Sequence, residues 1–156
     1  MVGYPARESE TLASIRKLLL GALALGVLGT SGELILLRHI DMAPQWIPVV
    51  IFAVSIPVLI WHAVSTSRLT VRVVQVLMVV FIGAGMLGVG LHFDGNVEFE
   101  RELHPTEQGF EFLRKTVAGA TPVLAPGSMV LLGLVGLAHT YRHPCVAGAN
   151  GQERHL

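Results

Sequence analysis

A single cysteine, Cys145, excludes an internal disulfide in this chain of 156 residues. Charge is scarce as well. Only 14% of the residues are Asp, Glu, Lys or Arg, against roughly 25% in soluble domains. The two signs cancel to a formal net charge of +0, so no bulk basicity points to a nucleic acid partner. No P-loop, G-x-S-x-G, H-E-x-x-H or C-x-x-C pattern occurs. The familiar signatures of phosphoryl transfer, serine hydrolysis, zinc proteolysis and thiol redox chemistry are therefore missing. These absences weigh against an enzyme, and no metal site is expected.

What the chain has instead is apolar length. Hydrophobic residues make up 52% of it, and the mean hydropathy is +0.62. Four runs stand out: 18–37, 46–64, 73–91 and 123–141. A helix needs about 20 apolar residues to cross a bilayer, with a range of roughly 17–25. The first three runs reach that length. The fourth reaches it only if its helix starts near Val123 and bends at Pro122 and Pro126. The first run is too long for the h-region of a signal peptide, which covers about 7–15 residues, so it is read as a retained span.

Basic residues set the orientation. Arg7, Arg16, Lys17, Arg68, Arg72, Arg142 and Arg154 fall on one side, and Arg38, Arg101, Arg114 and Lys115 on the other. The richer side is expected to be cytoplasmic and to hold both termini, the N-tail 1–17 and the C-tail 142–156. The loop 92–122 then faces outward. The location that fits is a bacterial inner membrane.

In that loop, Asp94, Asn96, Glu98, Glu100 and Glu102 alternate with other residues. Period-two alternation predicts a short extended segment with one polar face. Its oxygens suit a solvated surface, a cation or a docking partner. Beyond Pro105, Phe110, Leu113 and Val117 share one face of a predicted helix, as in a helix lying at the membrane interface. The expected fold is an all-α membrane protein. It is a four-transmembrane-helix up-down bundle (residues 18–141), with an outer loop containing a short extended segment and an interfacial amphipathic helix.

Two polar groups are candidate sites. Glu33 is the carboxylate within a span, where charge is costly. With His92, Asp94, Asn96 and Glu98 it would form an outer polar cluster, with Glu33 turned into the bundle. His62 and His139 end the second and fourth spans, which are diagonal in an up-down bundle. That pair could ligate a b-type haem or bind a quinone. Glycines such as Gly26, Gly29, Gly85, Gly88, Gly133 and Gly136 allow close helix packing. Pro57 is expected to kink the second span. The first functional reading is a small non-catalytic accessory, anchor or assembly subunit of a membrane complex. It would sit in the lipid bilayer with a protein partner or a second copy, and it needs no cofactor. The alternatives are a haem- or quinone-binding redox subunit and a small ion, proton or solute transporter.

Overall fold

The computed structural model describes residues 4–36, 45–119 and 123–147. Among them there is no β-strand. Six helices follow one another: α1 (Tyr4–Leu36), α2 (Trp46–Val64), α3 (Arg68–Leu103), α4 (Gly109–Ala118), α5 (Gly127–Thr140) and α6 (Pro144–Ala147). Arg38, Arg154 and the expected bend at Pro122 lie outside the described residues. α1, α2 and α3 are long and apolar enough to cross a membrane. α5 is apolar but has 14 residues, about 21 Å at 1.5 Å per residue. It starts at Gly127 rather than Val123, because Pro126 lacks the N–H that a helix interior requires.

The helices surround one core. α1 packs on α2 and α5, and α3 packs on α2, α4, α5 and α6. α2 and α5 therefore sit across the core from one another. The core joins Leu23 and Val27 of α1, Phe52 and Leu59 of α2, Val74, Met78 and Phe81 of α3, and Met129 and Leu132 of α5. Phe52 and Phe81 meet edge to face, with ring centroids 5.1 Å apart, a favoured aromatic geometry. α5 lies antiparallel to α3, with Gly136 opposite Met78, Gly133 opposite Ile82 and Gly85 opposite Val130. α2 continues through Pro57.

The extended segment expected after His92 is not found. α3 continues as a helix to Leu103. Prolonging an existing helix needs no new nucleus, and Glu98, Glu100, Arg101, Glu102 and Leu103 are good helix formers. At about 100° per residue, the alternating acids divide between two faces. Asp94, Glu98 and Glu102 line one and are exposed, while Asn96 and Glu100 lie on the other and are buried. The helix stops before Pro105, where His104 leaves the helical region for φ −133°, ψ 64°, because the proline ring disfavours helical backbone in the residue before it.

At 36 residues, α3 measures about 54 Å, well beyond a hydrocarbon core of about 30 Å. Its last turns carry α4. Asn96 is 2% exposed, and its Nδ2 donates to the Thr116 carbonyl at 2.9 Å. Gly119 lies so close to it that a Cβ there would be 2.8 Å from the Asn96 Cγ. The opposite face of α4 presents Phe110, Leu113 and Val117, all exposed. On the polar flank Arg114 pairs with Glu111, and that hydrogen bond holds the Glu111 carboxyl below its ordinary range. Asn96→Leu should unfasten α4, because it leaves the Thr116 carbonyl without its donor. Such a loss costs about 1–3 kcal/mol. Tryptic cleavage after Arg114 and Lys115 should accelerate about tenfold. An unchanged digestion rate would show that α4 is held by other contacts.

Candidate functional site

Four helices converge on a histidine cluster at the end of the core beside the α2–α3 turn. His62 and His139 arrive there as the last members of two core stripes. Along α2 the buried residues are Phe52, Ser55, Leu59 and His62, spaced three, four and three. Along α5 they are Met129, Leu132, Gly133, Gly136, His139 and Thr140. The helical period that buries the apolar members also buries the histidines, which are 1% and 4% exposed. Their Nε2 atoms are 2.9 Å apart, and the rings stand nearly perpendicular, at 84°.

Each outer ring nitrogen is also held. His139 Nδ1 lies 3.0 Å from the Arg16 carbonyl oxygen. His62 Nδ1 lies 3.2 Å from Thr70 Oγ1. Thr70 is fully buried because it closes the N-terminus of α3. Ser67 Oγ accepts from the Thr70 N–H, and Thr70 Oγ1 accepts from the Ser67 N–H at 2.9 Å. This is a capping box in which a threonine fills the usual Glu position.

Arg16 fastens α1 to the same end. Its Nη1 donates to the His139 carbonyl at 2.8 Å and its Nη2 to the Arg142 carbonyl at 3.2 Å. A guanidinium at the C-terminus of α5 satisfies carbonyls that the helix leaves open and complements its dipole. Arg142 sits in the left-handed region at φ 46°, a conformation costing roughly 1–3 kcal/mol for a side-chain-bearing residue. That turn swings His143 back over the pair, its ring 6.2 Å from both other rings. Burial holds the His143 imidazole below its ordinary range, and the charge of Arg16 and the neighbouring His139 push it the same way. The fold therefore favours neutral His143. Its contribution to stability is complete above about pH 6.5 and is lost as the pH falls.

The partners dictate the proton order. A carbonyl only accepts, so His139 carries its proton on Nδ1 and presents a lone pair at Nε2. His62 must then donate from Nε2, which leaves its Nδ1 to accept from the Thr70 hydroxyl. The chain of donors runs Thr70, His62, His139, Arg16 carbonyl. Among the described residues no three His, Cys, Asp or Glu side chains are placed to hold one ion, and the cluster contains no carboxylate to balance Arg16.

The residues of the second expected cluster differ in burial. Glu33 is exposed rather than turned into the bundle. Leu23, Val27 and Leu34 mark the packed face of α1, and Glu33 is rotated about 100° from Leu34. Asp94 and Glu98 are exposed, His92 is half-buried and Asn96 is buried beneath α4. Sequence reasoning paired His62 with His139 but missed Thr70 and Arg16. The spacing Ser67-x-x-Thr70 was a legible signal for a capping residue at the start of α3. For Arg16 no local pattern existed, since its partners are more than 120 positions away.

Compared with known proteins, the chain matches no family model, no curated protein and no solved structure.

Proposed function

We propose that the protein is a small multi-pass membrane protein that acts by association, as a non-catalytic accessory, anchor or assembly subunit of a membrane complex. In this reading α5 is a fourth, short span, both termini face the cytoplasm of a bacterial inner membrane, and α4 rests at the outer interface. The basic residues Arg16, Lys17, Arg68, Arg72 and Arg142 support that orientation.

The observation that carries the reading is the uncovered face of α1. Leu18, Gly21, Leu25, Leu28, Gly29, Gly32, Ile35 and Leu36 recur at three- and four-residue spacing, and the leucines and Ile35 are all more than half exposed. A Cβ at Gly21, Gly29 or Gly32 would meet nothing within 4 Å. Leucine knobs alternating with glycine notches suit close packing against another helix, where lipid offers no hydrophobic drive. That helix belongs to a protein partner or a second copy of the chain.

Purification in mild detergent from the native membrane tests this. The protein is expected to elute in a larger complex, and Gly29→Leu with Gly32→Leu is expected to release it as a folded monomer. A wild-type protein that elutes alone as a monomer overturns the reading.

A second reading, a redox subunit, is favoured by the proximity of His62 and His139. In that reading the two imidazoles would hold the iron of a b-type haem, which would supply one-electron transfer. The pair would have to open from its 2.9 Å contact to admit the haem. A visible spectrum of the same purified protein separates this reading from the first.

A further inference from the structure

We propose that His62 and His139 form a proton-binding dyad that takes up one proton without opening and lets go of the end of α5 when a second arrives. The hydrogen-bond order sets both steps. With both rings neutral, the hydrogen bond at His62 Nδ1 can be reversed without moving a helix. A proton from solvent adds to the lone pair of His62 Nδ1. The Thr70 hydroxyl then turns its own proton to the Ser67 carbonyl, 3.0 Å away, or the Ser65 carbonyl, 3.2 Å away, and accepts from the new N–H. The bond between the two Nε2 atoms survives and now joins an imidazolium to an imidazole.

The second proton has only the lone pair of His139 Nε2 to occupy. Two N–H groups then face each other across a 2.9 Å gap, and two positive rings stand beside the Arg16 guanidinium. The link from α2 to α5 opens. The groups that face the dyad are Arg16 from α1, Thr70 from α3, and His143 with Arg142 from the turn after α5. Among the described residues none of these is anionic, so none offsets the second charge. In an unfolded chain both rings take up protons as the pH falls through about 6.5. The closed link requires a bare lone pair on His139 Nε2, so the latch is present above that range and is lost as the pH falls.

The only cysteine provides the readout. Cys145 is exposed on α6, directly beyond His143, and its sulfur rests 4.0 Å from the Thr66 carbonyl of the α2–α3 turn. A spin label there is expected to be immobile at about pH 8 and to show a mobile fraction at least about threefold larger at about pH 5. His62→Gln copies the donor and acceptor order of the neutral ring, and its amide can turn over to accept from His139 Nε2–H once that ring takes up a proton, so its mobile fraction should stay level over the same interval. A wild-type label that does not respond to pH overturns the proposal. So does a His62→Gln protein that responds as the wild type does. A measurement on unaltered protein stands independently of how that variant folds. Nitrogen NMR of histidine-labelled protein at about pH 8 should find His62 protonated on Nε2 and His139 on Nδ1. The same tautomer in both rings would refute the dyad.

Discussion

Gly133→Val is expected to abolish accumulation of folded protein. α3 and α5 approach so closely that a Cβ at Gly133 would lie 2.7 Å from the Met78 carbonyl oxygen and 2.6 Å from Ile82 Cγ1. The first of these is backbone and cannot rotate aside. Gly85 is similar, since a Cβ there would lie 2.9 Å from both the Pro126 carbonyl oxygen and the Val130 nitrogen. Overpacking a core costs typically about 1–3 kcal/mol when side chains can adjust. Here the helices themselves must separate, and stability is only about 5–15 kcal/mol in total. The yield of monodisperse protein in detergent should fall by about tenfold or more. Gly83→Val is the control. It lies two residues from Gly85 on the same helix, but a Cβ there meets nothing within 4 Å, so a change within about 0.5 kcal/mol is expected. Equal yields of the two variants would mean that α5 does not pack on α3 in this register.

His139→Ala should produce the next largest loss. It removes a buried ring and both of its hydrogen bonds, leaving His62 Nε2 without a partner inside the core and taking from the Arg16 carbonyl the donor it has beyond its own helix. An orphaned buried polar group costs about 1–3 kcal/mol, and truncating a buried side chain to alanine adds a cavity. A destabilisation of about 4 kcal/mol is expected, seen as a Tm lower by roughly 10 °C. His143→Ala removes a half-buried ring at the rim and should cost under about 1 kcal/mol. If the two substitutions prove equally mild, the His62–His139 bond does not hold the end of α5.

Much of the helical framework was legible in the residues themselves. Runs such as Trp46–Val64 are apolar along nearly their whole length, and in a bilayer a run of that kind and length satisfies its own backbone as a helix. The stretch after His92 was misread for a physical reason. Alternation at period two looks like a strand when viewed alone, whereas a helix already in progress is prolonged by good helix formers such as Glu98, Glu100 and Glu102. The acids then fall on two faces, and Asn96 becomes an anchor for α4 instead of part of a polar strand. Glu33 was misplaced because cost alone does not say which way a side chain turns. The neighbours Leu23, Val27 and Leu34 decided that, by claiming the packed face of α1.

By itself the sequence determined the apolar helices, the excess of basic residues near the ends of the spans, and the arrival of His62 and His139 at one end of the core. Those are properties of composition and period, which act over a few turns of chain. Only the tertiary structure decided that the two rings bond through Nε2, that Thr70 and the Arg16 carbonyl fix their proton order, and that Arg142 bends His143 back over them. Each of these depends on groups brought together from α1, α2, α3 and α5. A hydrogen bond is made or lost within less than an ångström, a precision that helix periodicity cannot supply and that only the packing of one helix on another sets.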